Sequence, residues 1–190
     1  MANVDITAAP ADRKKALLES IDAVLAEFDG KTPPPAVRTF LLHVGWHEGA
    51  ALKARTQIGG GPGRSFYQFE APRAKDAVAY AKQKGWLGRL ATSSGKSEME
   101  LADAGDALPA AGAWPANSLI EQLLGAADQD VFATDMIRVA LKKIPAAVPA
   151  GLDDQAEYWA KHWKIQFASD ADRVAKKAQF KAAAQAVDAL

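Results

Sequence analysis

A change of local composition within residues 41–70 limits the folds that this chain can adopt. The residues up to Arg55 favour helix, whereas the run Gly59-Gly60-Gly61-Pro62-Gly63 cannot continue one, because glycine is flexible and proline lacks the amide hydrogen that a helix needs. The next segment is aromatic and reads Phe66-Tyr67-Gln68-Phe69-Glu70. These residues predict a helix, a loop whose backbone can approach a ligand closely, and an aromatic wall beside them.

The predicted helix, which we expect to run from about Ala36 to Arg55, carries an acidic residue on its apolar side. At about 100° per residue, Glu48 falls in the middle of a stripe of apolar side chains. The stripe consists of Val37, Leu41, Val44, Ala51 and Leu52. A carboxylate without partners is costly in an apolar setting, so two hypotheses arise. Glu48 is either a catalytic acid tuned by burial or a buried group paired with Arg55, which lies on the same face.

Composition argues against several classes of function. The chain has 190 residues, no cysteine, and 23 basic against 23 acidic residues. Balanced charge gives neither a nucleic-acid footprint nor a polybasic membrane patch, and the lack of cysteine removes disulfides, thiol catalysis and cysteine-based zinc sites. The hydrophobic content of 49% suffices for one core. We therefore expect a flexible N-terminal tail over residues 1–10 and a single helical domain over residues 11–190.

The remaining patterns predict a mainly α fold with little or no sheet. Helix patterns and their boundary signals follow one another along the chain, and no alternating run is long enough for a strand. The predicted helices are residues 11–28 with a stop at Asp29-Gly30, residues 73–84 with a stop at Gly85, one from a capping box at Ser97, one from a capping box at Ser118, residues 128–144, one from Asp153 or Asp154, and residues 170–187. Pro33-Pro34-Pro35 predicts a stiff connector after the first helix.

No signal peptide of the usual form is visible, and no run of about 20 apolar residues could span a membrane. We therefore expect synthesis in the cytoplasm, with delivery elsewhere only by another machine.

One motif resembles a known family. The segment Gly60-Gly61-Pro62-Gly63-Arg64-Ser65-Phe66-Tyr67-Gln68-Phe69-Glu70 follows a helix-borne Glu48 and is similar to the glycan-cleft motif of lysozyme-like lytic transglycosylases. It is nearer still to bacteriophage proteins of this superfamily, in which it reads Gly-Gly-Pro-Ala-Arg-Gly-Phe-Trp-Gln-Phe-Glu. The resemblance spans about residues 36–165, including the aromatic segment 158–163, and its specific part is the central motif. It departs at Gly49, where the family commonly has serine, and the Ala-Tyr-Asn-Ala-Gly motif of cellular enzymes is absent.

The resemblance implies a single-domain lysozyme-like helical fold that cleaves the β-1,4 bond between N-acetylmuramic acid and N-acetylglucosamine. Glu48 would act as general acid and base in a lytic transglycosylase, which needs no second carboxylate. In a hydrolase, Glu70 would be the second carboxylate. Gln68 and Tyr67 are the predicted substrate contacts, with His47 and Phe66 as further candidates.

Other site types have weaker support. His43 and His47 are spaced for metal binding on one helix face, but no third ligand follows at a recognisable interval, so we expect no metal. The glycine run lacks the Gly-Lys-Ser/Thr ending and the preceding strand of a phosphate loop, and no Gly-x-Ser-x-Gly elbow occurs. We therefore expect no cofactor.

The expected partner is a peptidoglycan glycan strand. Other phage virion proteins are a second class of partner, because the chain could be virion-associated in the host. The alternative function is a non-catalytic virion structural or ejection protein that retains the lysozyme-like fold. A small-molecule binding module is a third hypothesis, which requires a closed pocket around Glu48.

Overall fold

The computed structural model describes residues 3–29, 34–164 and 166–190, and this part of the chain is mainly helical, as expected. Its helices are α1 Pro10–Asp29, α2 Pro35–Glu48, α3 Ala71–Lys84, α4 Leu87–Ser94, α5 Glu98–Asp106, α6 Leu119–Gly125, α7 Asp130–Lys143, α8 Leu152–His162 and α9 Asp170–Asp188. Within these ranges β pairing is limited to isolated bridges, Thr56 with Arg64 and Arg64 with Phe69. The predicted stop at Gly30 and the start of the proline connector, residues 31–33, lie outside the described residues.

Helix α7 lies at the centre of the packing. Phe132, Met136, Ile137 and Val139 have no exposed surface, and Ala133 is also buried. Helix α7 is buried on most sides and packs against α1, α3, α4 and α6. A second group of packed helices, formed by α2, α8 and α9, extends the same continuous core.

Several boundary signals are confirmed. Gly85 ends α3 with a left-handed φ of 71°, and Ser97 and Glu100 form the predicted capping box of α5. Ser118 accepts a hydrogen bond from the Glu121 amide at the start of α6. Helix α4 was not predicted, and Ser169 rather than Asp170 caps α9.

The central helix is shorter than predicted. Helix α2 ends at Glu48, and the chain then makes a left-handed turn in which Ala50, Ala51 and Leu52 have φ of 50°, 58° and 60°. Left-handed backbone costs roughly 1–2 kcal/mol for each residue other than glycine. The buried Arg13 of α1 donates from Nε to the Ala51 carbonyl at 3.0 Å, so tertiary contacts override the local helix propensity.

The segment before α1 is held to the core at Val4. This residue is 3% exposed, its amide donates to Asp130 Oδ2 at 2.7 Å, and its carbonyl accepts from Arg55 Nη2 at 2.6 Å. The expectation of a loose tail over residues 1–10 is therefore corrected at Val4, while Met1 and Ala2 lie outside the described residues. No described helix is both long and apolar enough to cross a bilayer.

Candidate active site

An open cleft of about 1120 Å³ lies where α2 ends and α3 begins. Its volume exceeds the ~300–1000 Å³ that is usual for small-molecule pockets. Glu48, Gln68 and Glu70 all line it, together with Arg73 and Trp163. The remaining walls come from residues 54–62, residues 110–112, the end of α7 and residues 162–164. The structure thus brings three of the predicted site residues into one cleft.

Glu48 is the last residue of α2 and is partly exposed to the cleft. Trp159 Nε1 donates a hydrogen bond to its Oε1 at 2.8 Å, and no ion pair to Glu48 occurs within the described residues. Burial raises the pKa of the Glu48 carboxyl above its usual 4.5, although the Trp159 hydrogen bond and the nearby charge of Lys164 act to lower it. The carboxyl group is therefore biased toward its protonated form while it remains open to the cleft.

The hypothesis that Arg55 neutralises Glu48 is wrong. Arg55 donates from Nε and Nη2 to the two carboxylate oxygens of Asp130, at 3.0 and 2.8 Å. Its guanidinium also lies over the ring of Phe66, 4.5 Å from the centroid. The left-handed turn after Glu48 breaks the helical register that would have placed Arg55 on the same face.

Trp159, which binds the Glu48 carboxyl group, is itself fixed by aromatic packing. Trp159 lies on α8, is 1% exposed, and stacks on Phe180 of α9 with centroids 5.1 Å apart. The His47 ring meets Trp159 edge-on at 5.0 Å. The hydrogen bond between Trp159 and Glu48 joins residues that are 111 positions apart. The sequence signal for it was only the spacing of Trp159 and Trp163, which fits core packing equally well.

Arg73 is a cleft residue that the sequence prediction missed. Its guanidinium lies 3.9 Å from the ring centroid of Trp163 and donates to the Trp163 carbonyl at 2.6 Å. Burial lowers the pKa of Arg73 to about 10, and the opposing attraction comes first from Glu48 and then from Glu70. Arg73 remains charged at neutral pH, so it supplies positive charge near Glu48. No local motif distinguishes it from a surface arginine.

The aromatic segment is divided between core and cleft. Phe66 and Tyr67 are each 1% exposed and do not line the cleft, so their prediction as substrate contacts is wrong. Phe66 packs beneath Arg55, and the Tyr67 hydroxyl lies 3.3 Å from Thr134 Oγ1 in the core. Burial also raises the pKa of Tyr67.

Gln68, by contrast, reaches the cleft. Its φ of 52° is left-handed, and its Nε2 donates to the Ser65 carbonyl at 2.8 Å. Its Oε1 is enclosed and has no hydrogen-bond partner in the described part of the chain. The amide is thus held at the wall with one unused acceptor.

His47 does not line the cleft, so its prediction as a substrate contact is also corrected. It packs against Trp159 and Phe180, and burial lowers its pKa to about 4, with the charges of Lys176 and Lys164 acting in the same direction. It is neutral at pH 7. His43 is hydrogen-bonded by Gln155 and Asp188, at 2.9 and 3.0 Å.

No group of three potential metal ligands occurs among the described side chains.

Glu70 is exposed at the N-terminus of α3, and its side chain makes no capping hydrogen bond to the helix. It lines the same cleft as Glu48, so the one-carboxylate and two-carboxylate hypotheses both stay open. Comparisons of the chain with family models, with curated proteins and with solved structures gave no match.

Proposed function

We propose that this chain is a peptidoglycan-cleaving enzyme of the lysozyme-like type, with Glu48 as its general acid and base. The observation that carries the proposal is the setting of Glu48: a carboxyl group with a raised pKa, without an ion-pair partner in the described part of the chain, at the wall of an open cleft of about 1120 Å³. A buried acid that is paired is usually structural, whereas a desolvated and accessible one suits proton transfer. The position of Glu48 at the end of a core helix is also what the family resemblance implies.

The proposed first step is protonation of the glycosidic oxygen. As the bond between muramyl C1 and that oxygen breaks, the Glu48 proton passes to the leaving N-acetylglucosamine hydroxyl, and positive charge develops on the muramyl ring. The ionised Glu48 then accepts the proton of the muramyl 6-hydroxyl, whose oxygen bonds to C1 and closes an anhydro ring. This step restores the acid, and no second carboxylate takes part.

The cleft lining carries four basic side chains beside the acidic Glu48, Glu70 and Asp76, and the basic ones suit this substrate. The basic side chains are Arg73, Lys75, Lys143 and Lys164, and Lys143 is paired with Asp76 at 2.8 Å. Muramyl residues carry lactyl or peptide carboxylates, which an arginine or lysine can bind. Cations near Glu48 would also stabilise its ionised form in the second step.

The departure at Gly49 has a steric explanation in the structure. A Cβ at this position would lie 2.9 Å from Phe66 Cδ1 and 2.7 Å from the Gly45 carbonyl oxygen. A serine would therefore displace Phe66, so the glycine is a consequence of packing and does not argue against activity.

A hydrolase is the second candidate, and the observation that favours it is the presence of Glu70 in the same cleft. In that mechanism Glu70 would activate water or attack the sugar, while Glu48 would still protonate the leaving oxygen. The two mechanisms give different products.

The deciding experiment is digestion of purified sacculi by the full chain, with the muropeptides identified by mass spectrometry. Glu48→Gln is expected to lower the release rate by about 10²–10⁴-fold, the usual contribution of a general acid. Glu19→Gln, an exposed position on α1, is the matched control and should leave the rate unchanged.

Anhydro-muropeptides would support the transglycosylase, with Glu70→Gln retaining most of the activity. Reducing ends, together with loss of activity in Glu70→Gln, would support the hydrolase. No release from several types of peptidoglycan would contradict the enzyme proposal and favour a virion structural or ejection protein.

A further inference from the structure

A second concavity, of about 430 Å³, adjoins the cleft. It lies between the glycine-rich segment and residues 112–116, and Pro62 and Gly112 line both it and the main cleft. The two cavities are therefore neighbours that share Pro62 and Gly112 as a common border. A linear polymer that occupied the main cleft could extend into the second concavity without leaving the protein surface.

Trp114 is the aromatic residue of this concavity. Its Nε1 donates to the Pro62 carbonyl at 2.6 Å and so joins two loops that are 52 positions apart in the sequence. The other apolar lining residues are small or are prolines: Gly60, Gly61, Pro62, Gly112, Ala113, Pro115 and Ala116. The hydrogen bond from the indole nitrogen to Pro62 restrains the orientation of the ring within the surface of the concavity.

Polar groups border the same concavity. Arg64 donates from Nε and Nη2 to Glu121 Oε1, at 2.9 and 2.6 Å. The side chains are 20% and 24% exposed, and Glu121 Oε2 has no hydrogen-bond partner among the described residues. The ion pair leaves little net charge, while the free carboxylate oxygen can accept from a hydroxyl group.

We propose that this Trp114 concavity is an outer saccharide subsite, which binds an uncharged sugar residue of the same glycan strand that occupies the main cleft. The inference rests on the proposed function and extends it. An aromatic ring packs against the apolar face of a sugar, and a carboxylate accepts from its hydroxyl groups. Arg64 is already paired with Glu121, so the concavity offers no free cation for a muramyl carboxylate, in keeping with an uncharged sugar residue as its ligand.

The test compares glycan strands of two lengths on a Glu48→Gln background, which prevents turnover. Affinity for a disaccharide and for a strand of about eight sugars is measured by calorimetry on the full chain. Trp114→Ala is expected to weaken binding of the long strand by about tenfold and to leave the disaccharide affinity unchanged. Trp114→Phe, which keeps a ring but lacks the N–H donor, should retain long-strand affinity within about threefold.

Met99→Ala, an exposed apolar position on α5, is the surface control. Thermal unfolding of each variant confirms that it is folded.

Unchanged long-strand binding in Trp114→Ala would overturn the subsite. Equal losses for both lengths, or a loss in Trp114→Phe as large as in Trp114→Ala, would overturn it too, since neither outcome fits an outer aromatic contact. In each of these cases the parent still binds glycan, so the proposed function stands. A parent that bound neither length would instead contradict the proposed function and the subsite together.

Discussion

Glu48 and Asp130 are two acidic side chains in contrasting surroundings. Asp130 is 3% exposed, accepts two hydrogen bonds from Arg55 and one from the Val4 amide, and does not line the cleft that contains Glu48. Glu48 has one neutral donor, Trp159, and opens onto the cleft. The first carboxylate is paired with a cation and both of its oxygens accept hydrogen bonds. Among the described residues, the second has no ion-pair partner and accepts a hydrogen bond at Oε1.

The contrast shows that two acidic side chains in the same fold can differ in their ion pairing and in their access to a cleft. A paired carboxylate is held in its ionised form and cannot easily give a proton, while an unpaired one in a poorly solvated place keeps its proton to higher pH. The sequence favours the wrong partner for Arg55, because helical spacing suggested Glu48 and the fold supplied Asp130.

The largest effect on stability is expected from Asp130→Asn. This change leaves the buried Arg55 without its counter-ion, so we expect a loss of about 3–5 kcal/mol in the free energy of unfolding, measured by urea titration. Glu48→Gln should show no such loss at pH 7. Equal destabilisation by the two changes would remove the distinction between a structural and a functional carboxylate.

Replacing His47 is expected to change how stability depends on pH. Its pKa is about 4 in the folded protein and 6.5 in the unfolded chain, so the unfolded chain binds more protons between these values. The contribution of neutral His47 is full above pH 6.5 and is lost as the pH falls to 4. The free energy of unfolding of the wild type should therefore fall by about 1–2 kcal/mol over this range because of His47, after allowance for partial solvent screening. His47→Gln should lack this fall. Parallel unfolding curves for the two proteins would contradict a buried, uncharged His47.

Glu48→Gln should have the opposite sign of pH dependence. The folded pKa of Glu48 is raised above 4.5, so the stability of the protonated form is present below pH 4.5 and is lost as the pH rises through the folded pKa. Glutamine cannot ionise, and we therefore expect the variant to have a higher free energy of unfolding than the wild type at pH 7, measured by urea titration. The difference should vanish near pH 4. A variant that was less stable at pH 7 would show that the ionised Glu48 is well stabilised.

The smallest effect is expected from Trp159→Phe on the pH profile of glycan cleavage. The indole hydrogen bond favours the ionised form of Glu48, so its removal should raise the Glu48 pKa and move the alkaline limb of the profile to higher pH. Trp86→Phe is the matched control, because Trp86 packs against Phe28 and Tyr80 and does not line the cleft. An unmoved limb in Trp159→Phe would mean that this bond does not tune the acid.

Local patterns were sufficient for the regular parts of the fold. Gly85 could be predicted as the end of α3 and Ser97 as the start of α5, because both act within one helical turn. The sequence also suggested Glu48, Gln68 and Glu70 as candidate site residues, and all three line the cleft.

The rest depends on contacts between distant residues. The end of α2 could not be read from residues 49–55, which include good helix formers, because the left-handed turn is set by packing against α1. Gln68 and Tyr67 are adjacent and both polar, yet the backbone turn at Gln68 directs one to the cleft and the other to the core. Only the fold shows which of these two side chains reaches the cleft.

The hydrogen bond from Arg13 to the Ala51 carbonyl connects α1 to the turn that follows Glu48. Helix α1 therefore helps to position the candidate acid, although it lies in a different part of the sequence. Arg13 also donates to the Ala8 carbonyl, so one guanidinium connects the residues just before α1 to the left-handed turn after Glu48. Shortening or rebuilding α1 would thus move the turn that helps to position the Glu48 carboxyl group. Engineering of the N-terminal region therefore has to be judged by turnover as well as by yield of folded protein.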